Sequence, residues 1–526
     1  MRITTIDWII FAILTGGLLG IGIWTRLFVK GVADFTVGGR KMGMWLGLGA
    51  SSADGIAIAS IVAVCQQAYL HGFSYAWLRL LGPLILVPLI GIYGFGIKRY
   101  RATCVQTLPQ YYEMRYSKGV RMLAGFAIVI GGVLNMAVFP IITAQFLTAF
   151  LGLPATVAIA GMNVHVPYLI MGTVLGLALV FLFVGGFVTV VATNYVQAII
   201  LSVSVFAITF LCFKELGGDS VSEITTKVRE AVMLHRGEGA FKLFSKGGYG
   251  VVWVLFFVLH RVYSSLAFPP ALVMTSGAKN TEVARKMFLI KNVYNEARLI
   301  TIAIWGVVIL TAWGVAVPEG YTAANYEQAI TPLFLFKIVP PVLIGIILAG
   351  LVFAEISTTS TYLLSWCTII INDVICPMKK KAFTVKHHIL ALRISYFAVA
   401  AFLFGWGIYY QFTESVFAYM YLTGAIFVGA GIITYWGLYW KKTSTLAAYL
   451  ALIICMVIPL ADVLLKQQWQ NIAFLANWRD SYPLKSEESG LLAIVLAMVV
   501  IVIASLCSKK PTRFVDYGKK LKEMEA

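Results

Sequence analysis

Gly47-Leu48-Gly49-Ala50-Ser51-Ser52-Ala53-Asp54-Gly55 is a stretch that an apolar helix does not readily contain. It lies mid-way along a run over 44–66 that is otherwise apolar and, at about 20 residues, long enough to cross a hydrocarbon core. Glycine lowers helix propensity, and Ser and Asp side chains offer the backbone alternatives to the helical ladder. The spacing therefore predicts a span broken near its middle. A second break is written at Phe268-Pro269-Pro270, inside the run 249–275, because proline lacks an amide hydrogen and clashes with the preceding turn. Non-helical backbone at membrane depth persists only where protein buries it or a cavity receives it. Two broken helices at matching positions in two halves of a chain are the sequence pointer to a binding site for a transported solute.

Working outward from these breaks, further apolar runs of spanning length lie near 7–29, 75–98, 119–151, 166–186, 188–213, 295–318, 334–372, 387–410, 414–440, 445–466 and 489–508. With the two broken runs these make thirteen, numbered here spans 1–13 in chain order. The chain is thus expected to be an all-α integral membrane protein. Its 526 residues are 60% hydrophobic and 12% charged, against roughly half and a quarter in a soluble domain, which excludes a soluble enzyme, a secreted disulfide scaffold and a disordered protein. The breaks in spans 2 and 7 are five spans apart. An odd offset reverses direction across the membrane, so spans 2–6 are expected to repeat, inverted, as spans 7–11, with span 1 and spans 12–13 peripheral. The corresponding divisions are 1–30, 31–213, 214–248, 249–440, 441–508 and 509–526.

The net charge of +18, from 41 Lys+Arg against 23 Asp+Glu, follows topology and not nucleic-acid binding. Basic residues cluster in alternate loops: Lys30, Arg40 and Lys41; Lys98 to Arg121; Lys279 to Arg298; Lys379 to Lys386; Lys441 and Lys442; and the tail from Lys509. Loops 152–165 and 319–333 hold neither Lys nor Arg. Positive residues stay cytoplasmic, so the amino terminus is expected outside and the carboxyl terminus inside, in an inner or plasma membrane. Span 1 shows no small-residue cleavage site and reads as a retained helix. Trp45, Tyr75, Trp77, Trp440 and Trp478, near span ends, fit interfacial belts. The seven cysteines show no metal-like spacing. No phosphate-binding GxxxxGK[ST] loop is present, and no nucleophile–base or metal-ligand constellation points to an enzyme.

Span 9 carries the densest polar patch, Ala354-Glu355-Ile356-Ser357-Thr358-Thr359-Ser360-Thr361, continuing to Ser365. At 100° per residue, Ala354, Ser357, Thr358, Thr361 and Ser365 share a stripe, whereas Glu355, Tyr362 and Trp366 lie a quarter-turn away. A hard cation stripped of water takes several oxygens, and this stripe together with carbonyls freed in span 2 could supply them. Ser and Thr in membrane helices also bond back to their own backbone or join helices, and the stripe alone leaves both readings open.

Several segments resemble the sodium:solute symporter family, whose members include sodium-coupled glucose, proline, sialate and choline transporters. They are Phe35-Thr36-Val37-Gly38-Gly39-Arg40; Val184-Gly185-Gly186-Phe187 with Thr193-Asn194 and Gln197; and Ala278-Lys279-Asn280-Thr281-Glu282-Val283-Ala284-Arg285-Lys286. Ala354 with Ser357-Thr358 is similar to the family's sodium-site motif. The resemblance covers nearly the whole chain and implies a LeuT-type five-plus-five inverted-repeat core working by alternating access, with Na+ as coupling ion and no other cofactor. It also implies sodium ligands at the carbonyls of Ser52, Gly55 and Ala354 and the hydroxyls of Ser357 and Thr358. Asp54 falls where the proline-transporter branch also has an acidic residue. A second cation site would involve Asn194, Ser360 and Thr361, but family members with that site carry Asp where Asn194 stands, so one sodium is expected instead of two. The family's Gln-Arg pair in span 7 reads Val273-Met274, with His260 and Arg261 earlier in the span, and Glu355 replaces a small apolar residue.

An ionisable side chain near the bilayer centre costs about 2.5–3.5 kcal/mol even on insertion scales, so Asp54, Arg261 and Glu355 are expected at a solute cavity with His260. An Arg261–Glu355 pair joining two helices is the alternative. Gln66, Asn135, Gln145 and Tyr263 lie at cavity height; Gln67 does too. The function expected is sodium-coupled import of a small polar organic solute, such as an amino acid, a carboxylate or another zwitterion, by a monomer or loose oligomer. Proton coupling through Glu355 or Asp54, and a transporter-like sensor or uncoupled channel, are the alternatives. One cation crossing 100 mV supplies about 2.3 kcal/mol, and a tenfold gradient about 1.4 more.

Overall fold

The computed structural model describes residues 3–25, 43–45, 47–48, 55–159, 161–245, 247–318, 323–379, 383–410, 415–471, 482–508, 513–519 and 521, without the side chains of 184–188, 273–274, 323–325 and 470. Ser52, Asp54, Trp478 and the segment 35–40 lie outside these residues, as do the side chains of Val273 and Met274. Twelve helices among the described residues are long and apolar enough to cross a membrane. The half-helix Ile58–His71 belongs to span 2 and completes the expected set of thirteen.

Both predicted breaks are present. Gly55 has φ +85°, a left-handed conformation that glycine adopts without a Cβ penalty, and helix resumes at Ile58. Span 7 runs as Gly250–Ser264, is interrupted at 265–268, and restarts as Pro269–Gly277, where proline in the first turn has no intrahelical donor to lose. Spans 5 and 6 occupy one uninterrupted run of helical backbone, Val166–Leu216.

Three expectations are corrected. Span 8 begins not at 295 but at Thr281, as the helix Thr281–Trp313, with Asn280 accepting the Val283 amide as its cap; the polar turns from Thr281 to Asn295 resemble a loop in composition but continue the helix. The expected loop 319–333 contains the helix Ala323–Ile338. Span 9 accordingly starts at Leu343, after Pro340-Pro341 and Val342 at φ +75°, because the apolar turns 334–338 belong to the preceding helix. The basic-poor loop 152–165 folds as a hairpin of Thr156–Ile159 on Met162–His165. The surface helix in the 214–248 segment is Val221–Arg236, capped by Ser220.

Spans 5 and 6 pack along span 9, span 11 along span 4, and the half-helix Ile58–His71 against span 8. Span 1 covers spans 6 and 9, and spans 12 and 13 cover span 11. Small residues permit the closest crossings: a Cβ on Gly306 would stand 2.3 Å from the Cys65 carbonyl, and one on Gly431 2.0 Å from that of Tyr263. Tyr75, expected in an interfacial belt, is instead fully buried, whereas Trp45 and Trp77 are exposed.

Candidate functional site

The carboxyl of Glu355, at 0% exposure, joins the two halves of the site. Its Oε2 accepts the backbone N–H of Ile58 at 3.2 Å, the first helical residue after the break in span 2, where helix amides have no intrahelical partner and the helix dipole favours negative charge. Its Oε1 accepts the Thr359 hydroxyl at 3.2 Å. This brings the 354–358 turn of span 9 against the broken end of span 2. Glu355 is therefore not a member of the solute cavity, and it does not pair with Arg261.

The opposite side of the same turn meets span 6. Ser357 Oγ donates to Asn194 Oδ1 at 2.6 Å, and Asn194 Nδ2 donates to Thr361 Oγ1 at 3.2 Å. Ser357 from the first expected cation site thus shares a network with Asn194 and Thr361 from the second. Ser360 stands apart, donating to the Ala178 carbonyl at 3.4 Å. On a helical wheel Thr358 falls between the face turned to Asn194 and the face turned to Ile58. Its hydroxyl is buried and has no hydrogen-bond partner among the described residues. A buried hydroxyl without a partner costs free energy unless a ligand satisfies it, so Ala354, Ser357, Thr358 and the backbone at Gly55 are suited to a small hard cation. No group of three His, Cys, Asp or Glu able to hold a metal occurs among the described residues.

Beside this turn lies a cavity of about 290 Å³, lined by Gly55, Ser60, Asn135, His260, Arg261 and Tyr362 among others. It continues past Glu296 to Asn292, Phe288 and Met287 in the first turns of span 8, next to the basic loop. Toward the opposite side, aromatic residues pack across it: Tyr75 meets Phe417 edge-on at 5.6 Å, Trp253 meets Phe417 at 5.4 Å, and the Tyr249 hydroxyl donates to Gln67 Oε1 at 2.5 Å. Above them Arg236 Nε donates to the Tyr69 carbonyl at 3.1 Å. Burial pulls the Arg236 pKa below its usual value and pushes that of the nearby Glu327 carboxyl up.

Of the expected solute residues, the cavity brings together Asn135, His260 and Arg261. Three are corrected. Gln145 is exposed on span 4, Tyr263 packs on Tyr435 with ring centroids 5.9 Å apart, and Gln66 reaches Glu327; none lines the cavity. Two residues not anticipated complete it. Arg261 forms its ion pair with Glu296, and Arg79 reaches the other oxygen of Glu296 at 2.5 Å. The signal for Arg79 is a lone charge inside an apolar span. Glu296 is disguised by Arg298 and the other charges just before the apolar part of span 8.

Two broken spans beside a cavity, within a bundle of spanning helices, define a multi-pass membrane protein of the secondary-transporter architecture. The fold matches that of a solved Na+-coupled sialic acid symporter in its substrate-bound outward-open state, with a TM-score of 0.76 at 18% identity over 97% of this chain and 100% of the other; it is the LeuT-type fold. The sodium:solute symporter family model matches residues 35–455, and the chain belongs to that family. It is 26% identical over 222 residues to a sodium/glucose cotransporter of Vibrio parahaemolyticus, covering 40% of this chain and 37% of the relative. It is 22% identical over 357 residues to a sodium/pantothenate symporter of Haemophilus influenzae, covering 67% and 68%. With a sodium/sialic acid symporter of Proteus mirabilis it shares 22% identity over 44% of each chain. The chain thus spans less than half the length of the glucose and sialic acid relatives it matches.

Proposed function

We propose that this protein couples the inward movement of Na+ to import of a small polar organic solute by alternating access. The observation that carries this is the Ile58–Glu355 hydrogen bond, which draws the broken end of span 2 onto the turn holding Ala354, Ser357 and the unpartnered hydroxyl of Thr358. The ion bridges span 2 and span 9, so its arrival and departure bias how these elements sit against one another. The solute binds beside it, at Asn135, His260 and Arg261. Relatives named for glucose, sialic acid and pantothenate symport support sodium as the coupling ion and leave the solute class open. Ser357 serves both cation networks and Asn194 carries no charge, which supports one sodium per cycle.

The test is sodium binding to the purified protein, with uptake into proteoliposomes under a sodium gradient. S357A and T358A are each expected to weaken apparent sodium affinity by roughly tenfold, about 1.4 kcal/mol. Uptake that continues in sodium-free buffer and follows a pH gradient would refute the proposal in favour of proton coupling.

A further inference from the structure

The charged cluster in the cavity is unbalanced. Glu296 spends both oxygens on arginines, Oε1 on Arg261 and Oε2 on Arg79, and it is the one acidic residue among the described residues that line the cavity. Two guanidinium groups against one carboxylate, with Lys291 also on the cavity lining, leave an excess of positive charge in a largely buried place, where an uncompensated charge is costly. Each guanidinium also keeps its Nε without a partner among the described residues, and Arg79 is only 5% exposed. His260, 8% exposed, has neither ring nitrogen bonded among the described residues.

These side chains are also held by fitted notches. A Cβ on Gly82 of span 3 would stand 3.2 Å from Arg261 Nε, and one on Gly424 of span 11 would stand 2.6 Å from His260 Nε2. The His260 ring is further fixed against Tyr421, centroids 4.7 Å apart. Adjacent residues of one half-helix are thus seated, each against a glycine, beside a wall of Tyr75, Phe417 and Tyr421. A planar donor fork suits a carboxylate, and the aromatic wall suits an apolar frame.

Resting on the proposed coupling, and going beyond it to the solute, we propose that the cargo is an organic monocarboxylate with an apolar or aromatic body. Its carboxylate docks on the guanidinium groups of Arg79 and Arg261, and His260 takes a polar substituent nearby. Glu296 does not contact the solute; it is a positioning residue that holds the two guanidinium groups side by side.

The experiment is thermal unfolding of the purified full-length protein in NaCl or KCl with matched sets: isovalerate, benzoate, phenylacetate and 4-hydroxyphenylacetate, each beside its primary amide, plus glucose and phenethylamine. At least one carboxylate is expected to raise the Tm in sodium well above its amide, with glucose and the amine without effect. R261Q and R79Q should abolish that rise yet keep the shift produced by sodium alone, which reports a folded protein. G82A, which leaves every charge in place and displaces Arg261, should weaken it at least several-fold. Stabilisation by an amide, glucose or the amine equal to that by the most stabilising carboxylate overturns the proposal, as does a set in which no carboxylate exceeds its amide, or a rise that survives R261Q. A carboxylate effect identical in KCl would instead sink sodium coupling and leave the solute assignment standing.

Discussion

Glu355 is a wholly buried carboxyl that accepts the Ile58 amide and the Thr359 hydroxyl. Replacing it with Ala strands both donors, at about 1–3 kcal/mol for each one left unsatisfied, so E355A is expected to unfold several degrees below the wild type. E355Q retains a carbonyl oxygen for the Ile58 amide and should lose less; equal losses for the two variants would show that the negative charge, not the hydrogen bond, holds span 2. At this scale the division of span 9 into two polar faces was legible. Helical periodicity separated Glu355 from the Ser357 face, and the structure turns those faces to spans 2 and 6. What periodicity does not contain is the identity of the partner across space: Arg261 and Glu355 are lone charges of opposite sign in apolar spans, yet Arg261 selects Glu296, whose surroundings in sequence read as loop.

At the scale of elements, the breaks were legible because glycine and proline act locally. The start of span 8 was not, since polar helical turns packed on other helices have the composition of a loop. Helix Ala323–Ile338 was missed for the converse reason: its apolar last turns ran into span 9 across Pro340-Pro341. The left-handed residue at Gly55 offers a probe, because a Cβ there would meet nothing within 4 Å among the described residues. G55A therefore tests mainly the backbone conformation and is expected to cost about 1–2 kcal/mol while weakening sodium binding, measured by sodium-dependent thermal shift. An unchanged sodium response would mean that the break does not need this backbone conformation to form the site.

For the whole molecule, the cavity reaches the first turns of span 8, on the basic side expected to face the cytoplasm, while Tyr249, Gln67 and the aromatic residues around Phe417 close the other side. A cysteine at Asn292, in a chain with the exposed Cys104 and Cys507 changed to serine, should react with a maleimide from the cytoplasmic face of inside-out vesicles. Labelling only from the opposite face would reverse the assigned topology. The two arginines that share Glu296 also bear on the energetics of turnover. If a monovalent anion travels with a single sodium, the loaded carrier moves no net charge, and the membrane voltage neither drives nor opposes the step. The roughly 2.3 kcal/mol available per 100 mV then drops out, and a tenfold sodium gradient alone, worth about 1.4 kcal/mol, sustains about a tenfold accumulation of cargo. Such a carrier runs equally well in polarised and depolarised cells and equilibrates its cargo with the salt outside.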